Sequence, residues 1–192
     1  MAEEQGTEDT SADRAMDPAS GGSLASEYRS EKEQNRRMLI GQYAYFAEEL
    51  SAQSAIVEKI SVNVLDAPTV DGSPSIRGRY EKLFRRERNN AAALKTFLGE
   101  DRSPEIPHRN EDERDSVASA ATMLSEAAGL REACAKALEK LREEEWSKSI
   151  GRSDKSASLS SWLYRIVLCD AEELQAIGIL FSEQNVTFLD RI

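Results

Sequence analysis

The sequence is poor in histidine and cysteine and has no long apolar run. It holds one histidine and two cysteines in 192 residues. A membrane-spanning helix needs about 18 or more consecutive apolar residues, and no such run exists. The first residues also lack the basic start and apolar stretch of a secretory signal. We therefore expect no membrane association and a cytoplasmic location, with Cys134 and Cys169 as reduced thiols.

The net charge of −10 is unevenly distributed along the chain. Residues 1–34 carry nine acidic and three basic side chains, a net charge of −6, so the rest of the chain carries only −4. Nucleic-acid binding needs a basic face. The one basic cluster, residues 85–88, is short and is interrupted by Glu87, and we interpret it as a solvated helix face. We therefore expect no nucleic-acid partner.

Residues 1–29 are predicted to form a disordered acidic tail, and residues 30–192 a single domain. The first 26 residues are rich in Ser, Glu, Asp, Gly and Ala and have no periodic apolar positions. Such a segment buries too little apolar surface to offset the entropy lost on ordering. The remaining chain is long enough to form a core without disulfides or metals. A tail that docks onto a partner protein is the alternative.

Four stretches of the domain have the apolar periodicity of amphipathic helices. The predicted helices span residues 30–64, 74–98, 110–146 and about 158–181. Ser73 and Pro74 suit the N-cap and first position of the second helix, and Gly99 its stop. Asn110 and Glu113 have the spacing of a capping box at the start of the third. Four such helices without a strand pattern predict an all-α fold, an antiparallel four-helix bundle.

Three charged residues lie in the middle of apolar stripes: Glu87 on the second helix, Arg131 on the third and Asp170 on the fourth. An unpaired buried charge is costly, so the sequence predicts that Arg131 bridges both carboxylates. This group is either a buried network that fixes helix register, or the polar floor of a ligand or metal pocket. We expect the paired arginine to lower the carboxylate pKa values, which makes both groups poor proton carriers.

Several motif residues follow one another in a fixed order between about residues 38 and 185. Ser75-Ile76, Leu83 and Glu87 match an S-I…H-L-x-x-x-E segment. Arg131, Leu138, Leu141 and Trp146 match an R…L-x-x-L helix and the tryptophan that closes it. Leu159, Leu163, Ile166, Asp170, Leu174 and Ile177 match a final S-L-x-x-x-L…H-D-x-x-H-L-x-x-I helix. In these motifs the chain resembles the DinB-like superfamily of four-helix bundles, which includes YfiT-like metal-dependent proteins and thiol-dependent transferases.

The resemblance implies a metal site of three histidines, one on the second helix and an H-x-x-x-H pair on the fourth. The corresponding residues here are Lys82, Cys169 and Glu173. A Cys/Glu pair four residues apart can ligate a divalent metal such as zinc or nickel, but lysine must first lose its proton. We therefore expect no metal or other cofactor. The one histidine, His108, lies in a predicted linker and is given no role.

Two main functions are consistent with these observations. The first is a DinB-like domain of unknown specific function without the family's metal centre, which binds a small molecule or a partner, or is structural. The second is a divergent metal-dependent hydrolase or thiol-dependent transferase that uses Cys169 and Glu173. A third, protein assembly through the acidic tail, has less support. The resemblance also implies that the protein can form a homodimer.

Overall fold

The computed structural model describes residues 20–69, 71–102, 104, 119–151 and 157–184, with side chains from residue 30 onward. Its helices are α1 (Ser20–Val57), α2 (Val62–Leu65), α3 (Ile76–Leu98), α4 (Ala120–Glu139) and α5 (Leu159–Glu183). The described part is mostly helical, which confirms the all-α prediction. The chain divides into two units, Met1–Asn35 and Arg36–Ile192, and the second contains the core and the sites described below.

Helix α1 begins and ends earlier than the sequence predicted. It begins at Ser20, ten residues before the predicted start at 30. Residues 1–19 of the predicted tail lie outside the described residues. The helix ends at Val57 because the Ile60 N–H bonds to the Val57 carbonyl, which tightens the last turn, and Ser61 is extended. Residues 58–61 separate α2 from α1, and apolar periodicity does not detect so short an interruption.

The start of α3 lies two residues beyond its predicted position. Ser75, not Ser73, is the N-cap, and its Oγ accepts a hydrogen bond from the Gly78 N–H at 3.2 Å. Serine is a favoured N-cap residue, so both positions are compatible with the sequence. Ser75 is the N-cap because its hydroxyl accepts a hydrogen bond from the third N–H of the helix. Gly99 caps the other end with a positive φ of 77°, which glycine adopts without strain. Its role as the stop signal is confirmed.

Helix α4 is shorter than the predicted third helix. Ser119 caps its start, and the predicted start at Asn110, like His108, lies outside the described residues. The helix ends at Glu139, and a separate 3₁₀ turn, Glu143–Glu145, follows. Glu145 Oε2 accepts from the Arg142 N–H at 3.0 Å, which stabilises that turn against helix continuation. The predicted extension to Trp146 is therefore wrong, although Trp146 is buried.

Two very short strands that the sequence did not predict precede α5. Strands β1 (Ser149–Ile150) and β2 (Ala157–Ser158) pair antiparallel, with Ser149 opposite Ser158. Ser158 is also the N-cap of α5, and its Oγ accepts from the Ser161 N–H. The predicted start of the last helix is therefore confirmed.

The core of the second unit is formed by one face of each long helix. Helix α3 packs against α4 and also contacts α5. Gln53, the polar residue of the α1 stripe, accepts a hydrogen bond from the Tyr80 hydroxyl at 3.1 Å. The largest fully buried apolar or aromatic side chains are Tyr43, Leu50, Tyr80, Leu83, Leu94, Leu124, Leu138, Leu159, Leu163, Ile177 and Phe181. Within the described residues, none of the helices has the length and apolar character needed to cross a membrane.

Candidate functional site

The structure brings Glu87, Arg131 and Asp170 together inside the core. Arg131 lies on α4 and is fully buried, with Glu87 of α3 on one side and Asp170 of α5 on the other. Its Nε and Nη2 donate to the two Glu87 carboxylate oxygens at 2.8 and 2.7 Å. Its Nη1 and Nη2 donate to Asp170 at 2.7 and 3.2 Å. One guanidinium therefore joins three helices through two forked pairs, a geometry that lysine cannot provide.

Two aromatic rings of α1 cover the same guanidinium. The Arg131 Cζ lies 4.0 Å from the ring centre of Tyr43 and 4.7 Å from that of Phe46. Ring faces attract cations, and the attraction is stronger away from water. These contacts connect α1 to the network. Both residues belong to the apolar periodicity of the predicted first helix, but nothing in the sequence indicates that they cover a charge.

The Tyr43 hydroxyl has no hydrogen-bond partner among the described residues, although the Cys134 thiol lies beside it. Burial, opposed by the Arg131 charge, raises the pKa of this hydroxyl, so it stays protonated. A buried hydroxyl without a partner adds little to stability, whereas the ring fills space and covers Arg131.

We therefore expect Tyr43→Phe to change the free energy of unfolding by less than about 1 kcal/mol. Tyr43→Leu, which removes the ring, should be clearly more destabilising, because the cation–π contact and part of the packing are lost. Urea denaturation of both variants measures the difference. A large loss in Tyr43→Phe would show that the hydroxyl has a partner.

A second cation, which the sequence analysis did not assign to the network, pairs with the same carboxylates. Arg86 Nη2 donates to Asp170 Oδ1 at 2.5 Å, and Arg86 Nε lies 3.6 Å from Glu87 Oε1. The Arg86 side chain is a quarter exposed, so it covers the network at its edge. Two carboxylates thus face two guanidinium groups, and the charges balance. The interpretation of residues 85–88 as a wholly solvated face is wrong for Arg86.

The pKa of Glu87 is shifted in the direction opposite to the one expected from the sequence. Burial raises it, and the attraction of Arg131 opposes this rise without cancelling it. For Arg131, burial acts against the charged form, but the Glu87 carboxylate and its other partners outweigh it and raise its pKa. The expectation of a lowered pKa is wrong for Glu87. It included the attraction of Arg131 but not the desolvation of a buried carboxylate, which raises the pKa.

The three positions that correspond to the histidines of the resembled family do not form a metal site. Glu173 of α5 is buried, and its Oε1 lies 3.2 Å from Arg79 Nη1 while its Oε2 lies 3.6 Å from Lys82 Nζ. Cys169 is exposed. Among the described residues, no three His, Cys, Asp or Glu side chains are close enough to hold one ion. A carboxylate that already pairs with two cations does not fit a divalent metal.

The network is closed to a substrate in the described part of the chain. Glu87 and Asp170 are 1% and 3% exposed, and their carboxylate oxygens accept hydrogen bonds from Arg131 or Arg86. A general base needs a lone pair within reach of the proton that it removes. This geometry favours the interpretation of the group as a device that fixes helix register over the interpretation as a pocket floor.

No family model, curated protein or solved structure matches the chain. The resemblance to the DinB-like superfamily therefore depends on the motif residues alone and stays a prediction.

Proposed function

We propose that this protein is a DinB-like antiparallel four-helix bundle without the family's metal chemistry, which acts in the cytoplasm as a binding or structural module. The observation that carries the proposal is the pairing of Glu173 with both Arg79 and Lys82. In the resembled family the three positions hold histidine ligands. Here one of them, Lys82, is itself a cation that neutralises another of them, Glu173.

The balance of charge between α3 and α5 supports this proposal. A dication between Cys169 and Glu173 would lie close to the ammonium of Lys82 and the guanidinium of Arg79. Like charges at such short range repel each other, and the repulsion is least screened beside Arg79 and Glu173, whose side chains are largely buried. The same contacts that stabilise Glu173 in the fold therefore disfavour a metal beside it.

The buried network supports a role as a rigid scaffold. Replacing an ion pair in a core by apolar residues often costs no stability, so buried charges are poor devices for stability alone. Their directional hydrogen bonds do distinguish one helix register from another, and a single buried polar residue can specify packing. A bundle held in one register presents its surface groups in fixed positions, as a binding module requires.

A second copy of this chain is the protein partner included in the proposal. Tyr164, Leu168 and Ile179 are about half exposed on one side of α5. Tyr164 and Leu168 lie one helical turn apart, and Ile179 lies about three turns further along the same side. Exposed apolar side chains that share a helix face are typical of protein interaction sites. This face supports homodimerisation through α5.

The test of the proposal is the metal content of the full chain purified without an affinity tag. We expect well under one zinc or nickel ion per chain, and a melting temperature that chelator leaves unchanged, because Glu173 is already neutralised. Elemental analysis by mass spectrometry and thermal denaturation with and without chelator measure both quantities.

Cys169→Ser is the matched variant for this experiment, because Cys169 is exposed and its replacement leaves the core intact. One tightly held metal per chain that is absent from Cys169→Ser would overturn the proposal. It would favour the alternative, a divergent metal-dependent hydrolase or thiol-dependent transferase that uses Cys169 and Glu173. Metal that is equally present in both variants would have to bind elsewhere.

A further inference from the structure

A cleft of about 570 Å³ lies at a different place from the charge network. Its walls are the end of α1, the segment through α2, the first turn of α3 and the first two turns of α4. None of the network residues or the three metal-equivalent residues lines it. Its volume lies within the range of about 300–1,000 Å³ that is usual for small-molecule sites. The hydroxyl of Ser54 on α1 donates to the Ala121 carbonyl on α4 at 2.8 Å and holds two of the walls together.

The floor of the cleft is apolar. Val57, Leu65 and Ala120 line it and are almost completely buried, and the half-buried Ile60 and the exposed Val62 extend this surface toward the rim. An apolar floor below a polar rim suits a ligand with a hydrocarbon body and one polar end, since burying the body removes apolar surface from water.

The charge that is left uncompensated at the rim is negative. Arg77, the one cation of the lining, pairs with Asp66 at 2.6 Å. Glu58 and Glu126 also line the cleft, and neither has an ion-pair partner within the part of the chain that the structure describes. Two carboxylates therefore line the cleft without an ion-pair partner among the described residues.

The start of α4 contributes positive charge to the cleft, because the N-terminal end of a helix dipole is positive and favours anions. Its donors are partly in use: the Thr122 N–H bonds to Ser119 Oγ at 3.0 Å and the Met123 N–H to the Ser119 carbonyl at 3.0 Å. Two full negative charges outweigh the remaining partial positive charge of the helix end. The cleft is therefore better suited to a cation than to an anion.

We infer that this cleft binds a small organic cation, an amine attached to a short apolar body. The inference rests on the proposed function as a binding module and names the ligand class and its site. The apolar body would lie on Ile60 and Val62, which present the accessible apolar surface of the cleft, and the ammonium would lie between Glu58 and Glu126. The cleft does not include Cys169 or Glu173. The metal analysis therefore tests the proposed function, and ligand titration tests the cleft independently of it.

Three six-carbon probes that differ only in charge test the inference: n-hexylamine, n-hexanol and hexanoate. Each is titrated into the full-length ¹⁵N-labelled protein, and amide chemical shifts give both affinity and location. We expect n-hexylamine to bind most tightly and to shift the amides of residues 54–58 and 119–126. Tighter binding of hexanoate would overturn the inference and favour an anion at the start of α4. Shifts confined to other residues, or no binding of n-hexylamine, would also overturn it.

A pair of double variants isolates the two carboxylates. Glu58→Gln with Glu126→Gln should weaken n-hexylamine binding about fivefold, the size expected for two exposed or half-exposed charge pairs, and leave n-hexanol binding nearly unchanged. Glu132→Gln with Glu139→Gln removes the same net charge from the exposed surface of α4 outside the cleft. An equal loss in both double variants would show a general charge effect and overturn the inference.

Discussion

Replacing Arg131 with methionine is expected to lower the free energy of unfolding by about 3–5 kcal/mol, as found when one partner of a buried ion pair is removed. Methionine fills much of the same space between Ala128 and Ala135, so lost packing contributes little. The main cost is the stranded charge. Asp170 keeps Arg86 at 2.5 Å, whereas Glu87 keeps only the same residue's Nε at 3.6 Å. Glu87 is therefore the carboxylate that loses most.

This asymmetry predicts which second substitution repairs the first. Adding Glu87→Gln to Arg131→Met should recover more stability than adding Asp170→Asn, because the amide removes the worse-stranded charge. Each amide substitution alone should cost less than Arg131→Met, since Arg131 still has one carboxylate partner. Urea denaturation of the single and double variants gives the coupling free energies directly.

Two outcomes would contradict the network as a source of stability. One is a change of less than about 1 kcal/mol in Arg131→Met, which is the size of an exposed ion pair. The other is simple additivity of the single-variant effects, because independent sites add and shared networks do not. Either result would require Glu87 and Asp170 to be hydrated, and the interpretation as a pocket floor would then be the better one.

The second large effect is expected on α5. Leu163→Ala should cost about 2–5 kcal/mol, because truncating a fully buried leucine loses apolar burial and leaves a cavity. Leu168→Ala is the matched control, since it is the same substitution on the same helix at a side chain that is 48% exposed. It should change the free energy of unfolding by less than about 0.5 kcal/mol.

The comparison of these two leucines tests the orientation of α5 about its own axis. That orientation directs Asp170 and Glu173 inward and leaves Cys169 exposed. Equal losses in both variants, measured by urea denaturation, would mean that α5 is rotated or that Leu168 is covered by another chain. Repeating Leu168→Ala at several protein concentrations separates these two explanations, because a dimer makes stability depend on concentration.

The sequence predicted the inner part of the network because a charge at the centre of an apolar stripe stands out. Glu87, Arg131 and Asp170 each break a regular pattern, and the structure places all three together. Arg86 and Arg79 were missed because they lie at the edge of the stripe of α3, where a long basic side chain looks like a surface residue. Their side chains are only 25% and 18% exposed and reach inward to the carboxylates, a placement that periodicity does not reveal.

The helix ends were predicted less well than the helix faces. The last helix begins close to its predicted start at about residue 158, and Gly99 ends α3 as expected. The errors at Ser75, at Val57 and beyond Glu139 each depend on one local hydrogen bond or one extended residue. Such features decide where a helix stops without changing its apolar period. The sequence also did not predict that the rings of Tyr43 and Phe46 cover Arg131, because this contact depends on how α1 packs against α4.

The ion pairs of Arg131 with Glu87 and Asp170 also affect local unfolding of the protein. Detaching α3, α4 or α5 alone would separate at least one carboxylate from its guanidinium before water could fully solvate both. Local fluctuations in most proteins release one segment at low free energy while the rest stays folded. Here such a partial release carries a charge-separation penalty, so the three helices should exchange their amide protons as one cooperative unit.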